Sequence, residues 1–189
     1  MAATVLINEI NGAAPGTKTD KTSGTVRFKN ADNATVDLLN PLVIPTSGQE
    51  YSIEKILRLS ASGEYSSIDN LQAYTDGSPD FIAGSPTEVD VFYAVGGSYR
   101  APTTPSETPA TPQSDIAGSP LENMTNLFLA NSGSPINMDG NNAGPFTPLS
   151  PNADVQDIGD FLYMVMKVRP GATSGVTAAE TLTFSWDEI

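Results

Sequence analysis

The residues of this sequence that are able to do chemistry are almost all carboxylates. The 189 residues include 22 Asp and Glu and 9 Lys and Arg, with neither histidine nor cysteine. This composition excludes thiol nucleophiles, disulfides, Ser-His-Asp constellations, and zinc or haem sites with their usual ligands. Carboxylate catalysis and calcium or magnesium held by oxygen atoms remain.

Asp154, Asp157 and Asp160 recur at three-residue spacing before an apolar segment and are a candidate calcium cluster. Calcium loops need more oxygen ligands at closer spacing, and the D-x-[DN]-x-[DN]-G pattern is absent, so a solvated loop is favoured. Residues 139–142, Asp-Gly-Asn-Asn, favour a hairpin turn over the start of a calcium loop. We therefore predict no metal site and no cofactor.

A third acidic grouping, Asp76, Asp80 and Glu88, flanks two turns. Glycoside hydrolysis needs two carboxyl groups about 5 to 9 Å apart. Among 22 acids such a pair arises by chance, and the only tryptophan, Trp186, lies on a strand face predicted to be core, where it is unable to stack on a sugar. We predict that the protein is not an enzyme and has no catalytic residues.

The charge is strongly negative and unevenly distributed. The net charge is −13, and residues 101–166 contain no Lys or Arg. Repulsion from phosphate backbones and anionic lipid argues against nucleic-acid and membrane partners, and a basic protein surface is the natural complement. The acids of this cation-free region are Glu107, Asp115, Glu122, Asp139, Asp154, Asp157 and Asp160.

The elements that must position these residues have the period-2 patterning of β-strands. Residues 161–168 are apolar on both faces, which predicts a central strand. Residues 181–186 are one-sided, with Leu182, Phe184 and Trp186 directed at a core. In residues 52–59 a short helix is an alternative to a strand. The predicted strands are residues 4–10, 25–29, 52–59, 70–74, 88–95, 161–168 and 181–186.

Turn residues separate these segments, with 16 Gly and 15 Pro in the chain. Residues 101–114 are rich in Pro and Thr and predict an exposed, projecting loop. Residues 121–130 have the spacing of one short helix, with a loop and strand over 126–130 as the alternative. Residues 186–189 are expected to dock as an edge.

Many short strands and little helix predict an all-β fold, a single antiparallel β-sandwich domain over residues 1–189, jelly-roll-like, with one long Pro/Thr-rich loop. The first ten residues lack a basic stretch, and the longest apolar run is far shorter than the ~20 residues that cross a bilayer. We expect a chain that is neither exported by a standard signal nor membrane-spanning.

Residues 51–77, YSIEKILRLSASGEYSSIDNLQAYTDG, and the final ETLTFSWDEI resemble an uncharacterised group of tailed-bacteriophage virion structural proteins. In that group S-x-E-K-x-x-R-L leads through a glycine turn and I-x-N-L to Y-T-D-G, and the chain closes on T-F-x-W/Y-D-E-I. This sequence departs from the group near Ile53 or Ile56, where an aromatic residue is expected at one of the two positions, and residues 101–114 match nothing in it. The matched positions are Ser52, Glu54, Lys55, Arg58, Leu59, Ile68, Asn70, Leu71, Tyr74, Thr75, Asp76, Gly77, Thr183, Phe184, Trp186, Asp187, Glu188 and Ile189.

The resemblance implies a non-enzymatic virion component, made in the host cytoplasm and then held on the particle. A capsid decoration, cement or minor head protein is favoured. A neck or tail protein of the same virion is the first alternative, and a carbohydrate-binding or adhesin-type sandwich the second. The implied partners are the major capsid protein or other virion proteins, and we expect a homo-oligomer.

Overall fold

The architecture is a sandwich of two antiparallel sheets, seen in a computed structural model that describes residues 2–79, 88–104, 125–149, 154–175 and 178–189. Within these ranges no α-helix occurs, which confirms the all-β prediction. The strands are β1 Thr4–Asn11, β2 Thr17–Asp20, β3 Glu50–Tyr51, β4 Lys55–Ser62, β5 Ile68–Tyr74, β6 Val89–Gly96, β7 Thr125–Asn126, β8 Ile136–Asn137, β9 Gln156–Val168 and β10 Thr183–Glu188.

The larger sheet has seven strands in the order β2-β1-β4-β9-β6-β7, with β3 also paired to β9. The smaller sheet has three, in the order β10-β5-β8. β9 is 13 residues long and pairs with β3, β4 and β6. Leu162, Tyr163 and Val165 are fully buried, so the predicted central strand is confirmed.

The main core fills the space between the sheets. β4 supplies Leu57 and Leu59, β9 supplies Leu162, and β5 supplies Ile68 and Leu71, all at most 2% exposed. These side chains alternate with outward-facing ones along their strands, as the period-2 pattern requires. The one-sided strand β10 closes one edge of this core with Phe184 and Trp186, and Leu182 packs there just before the strand begins; all three remain partly exposed.

A second apolar cluster covers the outer face of the larger sheet, which explains why β9 is apolar on both faces. Ile10, Ile56 and Tyr163 belong to it, and Tyr99 packs on it from the chain that follows β6. That chain is fixed by hydrogen bonds, because the Tyr163 hydroxyl donates to Ser98 O at 2.7 Å and accepts from the backbone N–H of Arg100 at 3.2 Å.

The prediction of a strand over residues 25–29 is wrong, since this segment is irregular. Val26 and Phe28 do pack against the main core, as alternation suggests. Lys29, expected to face solvent, is fully buried, and its ammonium donates to Thr35 O at 2.7 Å and to Asp37 Oδ1 at 3.3 Å. We infer that the segment covers part of the inner face that the three-stranded sheet leaves open.

The prediction of a helix over residues 121–130 is wrong for its described part. Leu127–Leu129 form a single 3-10 turn, capped by Asn126, whose side-chain oxygen accepts from Phe128 N at 2.9 Å. The alternative of loop and strand over 126–130 fits better, because β7 pairs with β6 here. Residues 121–124 lie outside the described residues.

Most of the predicted projecting loop, residues 105–114, also lies outside the described residues. The described beginning of the loop does not project, because it lies beside the chain before β4. Glu54 N donates to Thr103 O at 3.0 Å, and Thr103 N donates to the Glu54 carboxylate at 2.9 Å. The base of the loop therefore belongs to the sandwich.

Residues 138–142 connect the two sheets through hydrogen bonds, and we call them the intersheet segment. Met138 N donates to Leu71 O of β5 at 2.8 Å, and Asp160 N of β9 donates to Met138 O at 2.6 Å. Met138 is 1% exposed. The sheets are thus joined by directional bonds as well as by apolar packing.

Candidate functional site

The three aspartates with calcium-like spacing do not form a cluster. Asp160 lies inside β9 and is fully buried, and its carboxylate accepts four hydrogen bonds of 2.8 to 3.0 Å from backbone and side-chain N–H groups of Asn141 and Asn142. Asp157 pairs with Lys18 at 2.5 Å, and Asp154 is exposed. The expectation of a solvated loop is therefore wrong for Asp157 and Asp160, which both lie in β9, and Asp160 is a structural acceptor.

The predicted hairpin turn at residues 139–142 is also wrong. These residues form bends in the intersheet segment and do not join two paired strands of the described chain. Asn141 and Asn142 bind Asp160, while the Asp139 carboxylate accepts from Leu71 N at 3.2 Å. Within the ranges that the structure describes, no group of three or more Asp or Glu residues is placed to hold a metal ion.

The acids considered for glycoside hydrolysis are used in turns where the structure describes them. Asp76 accepts from Ser78 N at 2.8 Å, and Glu88 accepts from Gly171 N at 3.2 Å. Asp80 lies outside the described residues. These contacts stabilise loops and give no arrangement of an acid beside a nucleophile.

The acidic C-terminus is docked, as predicted. Ile189 exchanges hydrogen bonds with Ser67, as its N–H donates to Ser67 O at 2.9 Å and its carbonyl accepts from Ser67 N at 3.0 Å. Glu188 accepts from Ala3 N at 2.7 Å. The chain end therefore holds the first and fifth strands together and does not form a tail.

The segments that resemble phage virion proteins lie on adjacent parts of this scaffold. β5 and β10, which carry half of the matched positions, pair directly, with Thr183 opposite Tyr74 and Glu188 opposite Ile68. From the first matched segment, the Arg58 guanidinium stacks on Phe161 at 4.3 Å from the ring centre. The matched residues described here build and brace the sandwich.

Almost all cations are used inside the molecule. Eight of the nine Lys and Arg side chains form ion pairs, and they share five carboxylates. Lys29 and Lys55 are fully buried, and only Lys18 has a side chain more than a third exposed among the paired cations. Most positive charges are thus neutralised in internal ion pairs, which leaves few unpaired cations to offset the surface acids.

Glu54 is the buried acid with a clear shift in its pKa. It is fully buried under Arg100, whose guanidinium lies 2.5 Å from Glu54 Oε1. Burial raises the pKa of Glu54 above its usual value, and the hydrogen bond from Thr103 N and the charge of Arg100 oppose this rise without cancelling it. This acid fastens the chain after β6.

Glu9 lies at the centre of a second buried polar group, near the end of the inner face. Its Oε1 accepts from Lys55 Nζ at 3.0 Å and from Asn11 Nδ2 at 3.5 Å, and its Oε2 lies 3.6 Å from Lys21 Nζ. Asn11 Nδ2 also donates to Asp32 Oδ1 at 2.9 Å. A groove of about 440 Å³ runs beside this group, lined in part by Asn11, Asp32 and Asn33.

An exposed apolar segment, residues 36–43, is the main surface feature that sequence patterning missed. Val36, Leu38, Leu39 and Val43 are 51 to 68% exposed, and we call this segment the apolar loop. Its base is fixed, because Asp37 accepts from Leu39 N at 2.9 Å and pairs with the buried Lys29. The sequence feature that marks this loop is a run of apolar residues that has neither strand nor helix periodicity.

Comparison with known proteins identifies no relative of this chain. A scan against protein-family models, a search of curated proteins and a search of solved structures each returned no match. Within the described ranges, no helix has the length and apolar character needed to cross a membrane.

Proposed function

We propose that the protein is a non-enzymatic structural component of a tailed-phage virion, and specifically a decoration, cement or minor head protein that stabilises the capsid. The observation that carries this proposal is an acidic sandwich that presents an exposed apolar loop, whose base is held by Asp37. Such a surface is suited to holding a protein partner. The sequence resemblance supplies the class of partner.

The charge distribution supports a basic protein partner. With eight cations already paired internally, the surface repels phosphate and anionic lipid and attracts a surface rich in Lys and Arg. It also disfavours a second copy of the same chain at the apolar loop, since each copy carries a net charge of −13.

The apolar loop supports a specific mode of attachment. Buried apolar anchors supply most of the holding energy in protein interfaces, and charges at the rim mainly steer association. Between Asn30 and Glu54 the chain contains only acids as charged residues. The apolar loop therefore fits an apolar pocket ringed by basic side chains on the major capsid protein or another virion protein.

Quantifying the protein in purified particles tests whether it is a virion component and where in the particle it lies. A copy number comparable with that of the major capsid protein supports decoration, and a few copies per particle support the neck or tail alternative. Absence from the particle contradicts both. Light scattering of the purified protein tests the accompanying expectation of a homo-oligomer.

A second experiment tests the apolar loop itself. The double substitution Leu38→Ser and Leu39→Ser should abolish binding to particles that lack the protein, while the melting temperature of the isolated protein stays unchanged because both side chains are exposed. Leu149→Ser is the matched control, since Leu149 is 71% exposed elsewhere on the molecule. Undiminished binding of the double variant would contradict the role of the loop.

A further inference from the structure

We propose that Lys55 and Asn11 form an intramolecular isopeptide bond, with Glu9 as the proton-transferring group. The inference goes beyond the proposed function and does not depend on it. It concerns the buried polar group between β1 and β4, where an amine, a carboxamide and a carboxylate meet away from solvent.

The register of the two strands places the two reacting residues opposite each other. β1 and β4 are antiparallel, with Asn8 opposite Arg58 and Glu9 opposite Leu57. The same register continued by two residues sets Asn11 opposite Lys55. Side chains directly opposite each other on one face have Cβ atoms about 4.5 to 5.5 Å apart, which a lysine side chain spans easily.

One carboxylate oxygen contacts both the nucleophile and the leaving group. Glu9 Oε1 is 3.0 Å from Lys55 Nζ and 3.5 Å from Asn11 Nδ2. A single base placed on both nitrogen atoms is able to accept a proton from the first and deliver it to the second. Lys21 contacts the other oxygen, Oε2, and is therefore not the amine in this position.

The buried position of the three side chains limits the access of water to the reacting groups. Lys55 and Glu9 are at most 1% exposed and Asn11 is 7% exposed. Among the described residues, Asn11 Oδ1 is a buried oxygen without a hydrogen-bond partner. No hydrogen bond therefore holds the Asn11 carbonyl away from the amine, and the fold keeps the three side chains largely shielded from solvent.

The step balances with no external reactant. Glu9 removes a proton from the Lys55 ammonium, and the free amine attacks Asn11 Cγ. The new Cγ–Nζ bond forms, the Cγ–Nδ2 bond breaks, and the amide nitrogen leaves as ammonium after receiving two protons that began on Lys55. Glu9 ends as the carboxylate that it was at the start.

A competing reaction has to be separated from this one, because Asn11 precedes Gly12. Attack by Gly12 N on Asn11 Cγ would form a succinimide and also release ammonia. That nitrogen is engaged in the folded protein, since it donates to Asp32 Oδ2 at 2.9 Å. The two products have the same mass but differ in their dependence on Lys55.

The experiment is intact mass spectrometry of the purified full-length chain, followed by peptide mapping after denaturation. The expected mass is lower than that of the sequence by one ammonia, and one branched peptide should join the segment containing Asn11 to the segment containing Lys55. Lys55→Met, Asn11→Ala and Glu9→Gln should each restore the full mass. Asn8→Ala, which leaves the reacting set and its contacts complete, should keep the deficit.

The wild-type protein alone makes the test decisive, even where a variant fails to fold. A full-length mass with no branched peptide after prolonged incubation at neutral pH overturns the proposal. A mass deficit that persists in Lys55→Met also overturns it and identifies the succinimide.

Discussion

Asp160 shows how a carboxylate inside a sandwich becomes a structural acceptor. Its two oxygens accept from backbone and side-chain N–H groups of Asn141 and Asn142, and the residue has no exposed surface. Removing it breaks four hydrogen bonds that the exposed Asn141 and the half-buried Asn142 donate to a charged acceptor, and such bonds are stronger than those between neutral groups.

Asp160→Ala should therefore lower the free energy of unfolding by about 3 kcal/mol, the scale for losing several hydrogen bonds to a charged group. Denaturant unfolding monitored by circular dichroism provides the measurement. Asp154→Ala is the control, because an exposed acid away from such a network changes stability by about 0.5 kcal/mol or less. Equal effects of the two substitutions would contradict this assignment.

The raised pKa of Glu54 predicts how the stability of the protein changes with pH. Its pKa is raised by burial above its usual value of 4.5, so the folded state holds this proton more tightly than the unfolded chain does. Stability from this group is then present below pH 4.5 and decreases as the pH rises through the folded pKa.

Glu54→Gln removes that titration. The unfolding free energy of the wild type should fall relative to that of the Gln variant as the pH increases from 4.5. Urea unfolding of both proteins over a pH series measures the difference. A difference that is constant with pH would show that Arg100 and Thr103 fully compensate the burial of the carboxylate.

Among the elements, the contact between β9 and the smaller sheet depends on a glycine. Gly159 has φ +67°, and a Cβ atom there would lie 2.5 Å from Met138 O and 2.5 Å from Leu71 Cδ1. Gly159→Ala should cost about 2 to 5 kcal/mol from backbone strain and overpacking together. Gly48→Ala, at φ +74° with open space around it, should cost about 1 kcal/mol and isolates the strain.

Truncating Trp186 in β10 should destabilise the protein less than the one-sided pattern of the strand alone suggests. Full burial of Trp186 would predict a loss of about 3 to 5 kcal/mol on truncation to Ala. Because Trp186 packs on the core but stays partly exposed, we expect a loss of about 2 kcal/mol. Thermal unfolding measures it, and a loss under about 1 kcal/mol would remove Trp186 from the core.

Hydrophobic periodicity predicted the strands whose buried and exposed faces are set by local sequence. It failed where contacts with residues distant in the sequence determine whether a side chain is buried. β9 was readable from residue 161 onward because both faces are apolar. Its first residues were not, since Asp157 and Asp160 become acceptable in a strand only through Lys18, Arg58 and the intersheet segment. The burial of Lys29 depends on Thr35 and Asp37 in an irregular loop, which has no period to detect.

For the whole molecule, the acidic surface predicts how attachment responds to salt. Raising the salt concentration should slow the binding of purified protein to particles lacking it, because rim charges steer association. It should release little protein already bound, since apolar anchors hold the complex. Binding kinetics at several salt concentrations test this, and EDTA should have no effect. Complete release by EDTA would instead indicate bridging divalent ions.

The burial of most lysines in internal ion pairs affects how the protein is detected by chemical labelling. Of the five lysines, Lys21, Lys29 and Lys55 have side chains at most 8% exposed, and Lys167 is 11% exposed. Amine-reactive labels and cross-linkers applied to the folded protein should therefore react mainly at Lys18 and the amino terminus. Tryptic digestion yields one long fragment from residue 101 to Lys167, so surveys of particles by trypsin and lysine chemistry will undercount this protein unless an acid-directed protease is added.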